Sequence, residues 1–315
     1  MLLKSYAKIN LSLDVLGLMD NGYHQVATVM QKTSLYDIIS IDWVPSHDEG
    51  GSFEIELSTN RPYIPNDERN LAYKAALLMK AEADKKQLDV SGVLKIFIEK
   101  HIPVAAGLAG GSGNGAAVLI GLNRIWKMGM DTRALCETGK VLGADVPFMI
   151  LVQNSRYRCA LATGVGDVLT PMPSGFRKHI VLAKPAFGVS TKEVYQEIDN
   201  VVIDRHPDTE QLTEGLRSGD IGLIEHNMVN VLECYCLDRY REIGVIKELM
   251  SGTDKVEKVL MSGSGPTVFG VYPTKSAAID ACMILRDKGY EAYWTDTFLR
   301  ERQEPVFPKK NSYTV

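Results

Sequence analysis

Apolar and polar residues alternate near the start of the chain, where Leu11, Leu13 and Val15 are separated by Ser12 and Asp14. This is the period of an extended strand with one face toward a core. Similar short runs at 26–35, 36–42 and 53–57 predict an antiparallel meander. The period then changes: Leu71, Ala75, Leu78 and Ala81 fall on one helical face within 67–85, with Asn66 or Asp67 available as cap. Strand character returns at 93–100. Pro103 next opens a loop of small residues that runs into an apolar helix at 116–126. A second helix is expected at about 132–141, followed by Gly143-Ala-Asp-Val-Pro147 and an apolar run at 148–152.

Polar residues around Asn154 interrupt this pattern and place a domain boundary there, giving domains 1–154 and 155–299. The second half predicts strands at 157–162, 179–184, 256–261, 267–272 and 290–297. Helices are expected at 192–198, 208–216, 221–233, 240–250 and 276–288. Such an order of elements implies an α+β protein of sheet and helix layers. The tail 300–315 carries Pro305, Pro308 and several charges and is expected to be flexible.

The 315 residues, 45% hydrophobic and 23% charged, suffice for two domains of ordinary size with a sizeable core. A formal net charge of -4 provides no general attraction to nucleic acid or to an anionic membrane, so neither is expected as a partner. The five cysteines, Cys136, Cys159, Cys234, Cys236 and Cys282, form no CxxC pair and fit a reducing compartment. Residues 1–13 mix Lys4, Lys8 and Asn10 with apolar positions, unlike the apolar core of a signal peptide. No apolar run reaches the roughly 20 residues of a membrane span. A cytoplasmic protein is expected.

The richest stretch chemically is Pro103-Val-Ala-Ala-Gly107-Leu108-Ala109-Gly110-Gly111-Ser112-Gly113-Asn114-Gly115, directly before the apolar helix. Glycines permit close backbone approach to a ligand, and the free N–H groups of a helix start favour an anion, so a phosphate cradle is the natural reading. The bland alternative is a flexible loop that allows close helix packing. No Gly-Lys-Ser/Thr follows, so it is not a Walker A loop, and the spacing is not that of a dinucleotide fingerprint.

This loop resembles the second motif of the GHMP kinase superfamily, in the version carried by the diphosphocytidyl-methylerythritol kinases. Other stretches agree in order: Lys8-Ile-Asn10-Leu11, Gly22-Tyr23-His24, Gly143-Ala-Asp145-Val-Pro147-Phe148 and Met261-Ser-Gly-Ser-Gly-Pro-Thr267. With Asn70-Leu71, Asn230-Val-Leu-Glu233 and Pro185 through Thr191, the likeness extends over residues 3 to about 298. It implies a two-domain kinase fold, with an N-terminal ATP-binding domain like ribosomal protein S5 domain 2 and a C-terminal α/β sandwich. ATP and magnesium are the implied cofactors. The implied substrate is a small molecule carrying a cytidine diphosphate group, acted on by a monomer or homodimer.

The resemblance also assigns roles. Asp145 would accept or orient the substrate hydroxyl proton, where the residue read alone is equally a turn cap before Pro147. Lys8 would stabilise developing charge, whereas an exposed strand lysine is the plain reading. Asn10, Tyr23 and His24 would hold substrate, with Phe187 as an opposite stacking face. Pro103 and the stretch from Gly107 to Asn114 would hold triphosphate, and the Ser112 hydroxyl would meet phosphate or magnesium. The sequence departs from the motif at Ala109, Gly113 and Gly115. It also carries Met19, Asp20 and Asn21 before Gly22, and Val165-Gly-Asp167 where a Gly-x-Gly-Glu pattern is common. The altered loop leaves open a ligand-binding paralogue without turnover, and another GHMP specificity, homoserine or mevalonate, is the nearer alternative.

Overall fold

The computed structural model describes residues 1–46, 51–173 and 175–298, so the tail 300–315 lies outside the described residues. Its backbone is organised around one long hairpin, β1 (Leu2–Leu18) and β2 (His24–Pro45). Lys8 stands opposite Lys32 and Tyr6 opposite Tyr36, with a register shift between these pairs. The two strands expected within 26–42 are therefore one continuous strand; the extra residues of β2 are absorbed at that irregularity rather than at a turn.

β2 carries β1 along one edge. Its other edge is shared by β4 (Gly92–Glu99), which pairs with residues 38–45, and β5 (Cys159–Thr163), which pairs with residues 28–31. β6 (Val168–Met172) follows β5 antiparallel, and β3 (Phe53–Thr59) lies parallel to β4. The 53–57 run thus does not continue the meander. Since β5 and β6 complete this first sheet, the chain changes sheets between Met172 and His179 and not near Asn154.

Helices α1 (Leu71–Lys85), α2 (Gly110–Ile125), α3 (Thr132–Gly139) and α4 (Asp145–Asn154) belong to the first half. Ala75 and Met79 of α1, Val118 and Leu122 of α2, and Phe148 and Met149 of α4 share a core with Ile39, Ile41 and Ile96 of the sheet. The opposite face of β1, through Ala7, Ile9 and Leu11, packs on Phe176, Ile180, Leu182 and Phe269. Both faces of this hairpin are covered. The polar residues that alternate along β1, from Lys8 to Asp14, are consequently buried instead of solvated.

The second sheet is antiparallel throughout, in the order β10 (Glu291–Asp296), β7 (His179–Lys184), β9 (Val268–Tyr272), β8 (Lys258–Met261). Ile246 and Met250 of α9 (Arg241–Ser251) and Ala278, Ala281 and Leu285 of α10 (Lys275–Asp287) cover it. Between β7 and β8 run α5 (Thr191–Glu197), α6 (Thr209–Ser218), α7 (Ile221–His226) and α8 (Glu233–Arg239); a 3-10 turn, Ile198–Asn200, follows α5. The helix expected over 221–233 breaks after His226, where Asn230 turns its side chain to the backbone of another loop. Among the described residues no helix is long and apolar enough to cross a membrane. All five cysteines are free thiols, and burial pushes those of Cys159 and Cys236 up to about 12.

Buried charges organise the first half. Asp37 of β2 is fully buried and accepts from Lys100 Nζ, from the backbone N–H groups of His101 (2.7 Å) and Ile102 (2.8 Å), and from Asn114 Nδ2 (2.8 Å). Burial pushes the Lys100 ammonium below its ordinary value, against the pull of that carboxylate. Lys32, opposite Lys8, donates to the carbonyl of Val152 in the last turn of α4 at 2.6 Å and lies 4.3 Å from the centre of the Tyr6 ring.

Removing the Asp37 carboxylate leaves the Lys100 ammonium buried with its ion-pair partner gone, so Asp37→Ala is expected to cost about 3–5 kcal/mol in urea unfolding. Lys32 carries a pH signature. Burial, and secondarily Arg158, push its pKa from 10.5 down to about 8. Between those values the unfolded chain holds a proton that the folded chain has released, so this residue's contribution to stability grows as pH rises through the window and is lost as pH falls through 8. Relative to Lys32→Met, the wild-type protein is expected to gain on the order of 3 kcal/mol across that range. Parallel urea curves for the two proteins would refute this.

Candidate active site

Lys8 and Asn10 project from the same face of β1 into the interior, at 4% and 2% exposure. Lys8 Nζ donates to Asn10 Oδ1 at 2.7 Å. Asn10 Nδ2 donates to Thr28 Oγ1 at 2.8 Å, and Thr28 Oγ1 donates to the carbonyl of Ser12 at 2.6 Å. The ammonium therefore ends a run of side chains anchored on backbone. It lies 3.7 Å from Asp145 Oδ1, beyond ordinary hydrogen-bond length, and the Asp145 side chain is 38% exposed. Asp145 occupies the first turn of α4, a favourable place for negative charge, and the helix start has no side-chain cap bond. The stretch read from sequence as a turn and an apolar run is thus one helix. Its residues Val146 to Val152 are buried all round, and a helix without a polar face shows no period.

The glycine loop is tied to the same strand, because Lys8 N donates to the carbonyl of Leu108 at 3.1 Å. Gly107 has φ +69°, and a β-carbon on it would stand 2.4 Å from the carbonyl oxygen of Ser262, so only glycine fits. The contact joins the loop to the second glycine-serine stretch, and Ser262 Oγ donates to the carbonyl of Gly107 at 3.1 Å. Asn230 holds that second loop by donating to the carbonyls of Met261 and Gly263 at 2.8 Å each. Thr191 Oγ1 and Ser264 Oγ are 2.8 Å apart. Both loops, remote in sequence, meet beside Lys8.

α2 starts at Gly110, six residues before its apolar run, because the poor helix formers of the loop already have helical geometry. Ala109 precedes it in the left-handed region, φ 55° and ψ 28°, without a capping side chain. A methyl here strains the turn where glycine would not, by about 1–2 kcal/mol. Gly111 is exposed and Ser112 half-buried, and the Ser112 hydroxyl makes no hydrogen bond among the described residues. The first N–H groups of a helix lack intrahelical partners, and the exposure of Gly111 leaves this helix start accessible there, as an anion requires. Pro103 and Leu108 are buried below the loop. Gly113 packs so closely that a side chain would begin 2.7 Å from Ser5 Oγ, leaving no space for the serine of the usual motif. Asn114, expected among the phosphate-binding residues, instead turns its amide to Asp37 and Ser5 Oγ.

A cavity of about 380 Å³ lies between β3 and α1, lined by Ser58, Thr59, Arg61, Tyr63, Asn66 and Arg69, among others. Residues next to this lining reach toward the loop: Leu71 comes within 3.7 Å of where a β-carbon on Gly111 would lie, and Asn60 pairs with the backbone of Lys100. Hydrogen bonds from Arg69 hold the Asp67 carboxyl down at about 2. The residues of this pocket carry no motif that marks them in the sequence.

Tyr23, 65% exposed, and His24, 9% exposed, lie where the hairpin tip enters β2. The His24 ring is 5.6 Å from that of Tyr195, tilted by 34°, and its Nε2 is 3.0 Å from Asp199 Oδ1. Burial pushes the Tyr195 hydroxyl upward, and the Asp145 charge adds to the effect. Phe187, expected as the opposite stacking face, packs instead on Tyr240 at 5.7 Å and belongs to the second core. The aromatic beside His24 is Tyr195, one turn into α5, which the motifs did not mark. Among the described residues no group of three or more His, Cys, Asp or Glu could hold a metal.

The family described as GHMP kinases N terminal domain matches residues 70–152, and that described as GHMP kinases C terminal matches residues 212–291. The 4-diphosphocytidyl-2-C-methyl-D-erythritol kinase of Lachnospira eligens is 41% identical over 298 residues, covering 94% of this chain and 98% of that protein. The protein of the same name from Alkaliphilus oremlandii is 44% identical, covering 94% and 96%. A crystal structure of 4-(cytidine 5'-diphospho)-2C-methyl-D-erythritol kinase superposes with a TM-score of 0.75 at 30% identity, over 94% of this chain and 98% of that one. Homoserine kinase from Cytophaga hutchinsonii, at 16% identity and a TM-score of 0.66 over 93% and 94% of the two chains, shares the fold alone. With an ammonium, a carboxylate and an open helix start gathered from three separate segments, and with relatives this similar over nearly the whole chain, the protein belongs to the GHMP kinases, on the branch of the 4-diphosphocytidyl-2-C-methyl-D-erythritol kinases.

Proposed function

We propose that this enzyme transfers the γ-phosphoryl group of ATP to the 2-hydroxyl of 4-diphosphocytidyl-2-C-methyl-D-erythritol, giving the 2-phosphate and ADP in the non-mevalonate route to isoprenoid precursors. The observation that supports it most directly is the 3.7 Å approach of Lys8 to Asp145, beside the open start of α2. Asp145 takes or orients the proton of the substrate hydroxyl, and Lys8 offsets the negative charge that grows on the oxygens. ATP supplies the phosphoryl group. The N–H groups at Gly110, Gly111 and Ser112 suit its phosphates, and the cavity beside Tyr63 and Arg61 suits its nucleoside. The Ser112 hydroxyl, otherwise unbonded among the described residues, would help hold a magnesium ion bound with ATP, which would offset charge on the phosphates. Hard oxygen ligands and phosphate are what that ion prefers. Tyr23, His24 and Tyr195 surround the pyrimidine base, with Asn10 nearer the reacting alcohol. The enzyme acts in the cytoplasm.

The purified protein with ATP and magnesium is expected to release ADP when 4-diphosphocytidyl-2-C-methyl-D-erythritol is added, and not when homoserine or mevalonate is added. No stimulation at saturating protein would remove this assignment and favour a binding paralogue. Asp145→Asn should lower kcat by about 100-fold or more with KM little changed, and Lys8→Met by about 100- to 1000-fold. Either variant turning over at the wild-type rate would remove that residue from the chemistry.

A further inference from the structure

The contacts of His24 give a task to Asp199, a residue that neither the sequence motifs nor the phosphoryl transfer employs. His24 Nε2 lies 3.0 Å and 3.1 Å from the two carboxylate oxygens of Asp199. An ionised carboxylate only accepts hydrogen bonds, so Nε2 must carry the hydrogen. A neutral imidazole protonated there has its lone pair on Nδ1. Nδ1 makes no hydrogen bond among the described residues. The imidazole is otherwise enclosed, at 9% exposure, with Tyr195 against it. Tyr195 and Asp199 come from one short segment, α5 and the 3-10 turn after it, so the second half of the chain supplies both the ring and the carboxylate that fix a histidine of the first.

We propose that Asp199 is a specificity-determining positioning residue: by keeping the hydrogen on His24 Nε2, it presents Nδ1 as an acceptor to the exocyclic amine of a 4-aminopyrimidine. This rests on the reading that His24 meets the base. Cytosine offers an amino donor where uracil offers a carbonyl oxygen. Against uracil, two acceptors would face each other beside a largely buried imidazole, and an unpaired polar group in such a place is costly. The Asp199 side chain is itself 53% exposed, so its pairing with His24 adds little to folding and can be removed without losing the fold.

The test is steady-state kinetics of the intact enzyme with the cytidine substrate and its uridine counterpart. Asp199→Ala and Asp199→Asn are expected to raise KM for the cytidine substrate about tenfold, with kcat within about twofold, and to narrow the cytidine-to-uridine ratio of kcat/KM by about tenfold. Asp199→Glu should restore part of the preference. A merely structural effect would reduce turnover of both substrates in proportion and leave the ratio alone; that result, or wild-type kinetics in both variants, overturns the proposal. His24→Ala separates the two layers. If it keeps the cytidine preference, the reading that His24 meets the base fails, and if it abolishes the preference while Asp199→Ala does not, only the role of Asp199 fails.

Discussion

The fold of the first half of the chain hangs on one buried carboxylate. Asp37 accepts from the lysine and the two backbone amides at which β4 ends, and also from the asparagine one turn into α2. Both ends of the glycine loop are thereby fixed to the central strand of the sheet. A loop so rich in glycine would otherwise lose much conformational entropy on ordering. Four donors around one acid make that order a property of the folded protein.

A second constraint sets the position of the acid in the site. Lys8 and Lys32 face each other across the hairpin, and α4 spans the distance between them. One lysine lies beside Asp145 in its first turn, and the other donates to the carbonyl of Val152 in its last. Opposite ends of the helix macrodipole thus meet a carboxylate and a cation respectively, each in its favourable place. The carboxylate cannot drift along the strand without pulling Lys32 from its carbonyl.

Motif reading found the residues the structure brings together, Lys8, Asn10, Asp145 and the two glycine loops, because short segments with special backbone needs leave a local mark. Gly107 is an instance: its positive φ and its contact with Ser262 admit no side chain. What could not be read locally depends on long-range packing. β1 looked half-exposed from its alternation, yet a second sheet covers its other face. α4 showed no period because it is apolar all round. Phe187 and Tyr195 are both aromatics near the same loop, and only the course of α5 decides which one reaches His24. Asp37, Thr28 and Asp199 carry no motif; their importance lies in partners far along the chain.

The anchoring of Lys8 has a consequence for its conformational freedom. A lysine is a long tether with four rotatable bonds, and immobilising one costs up to about 2 kcal/mol of rotamer entropy. Here the Asn10 and Thr28 side chains select its conformer through hydrogen bonds within the folded chain. The disorder is surrendered once, when the polypeptide collapses.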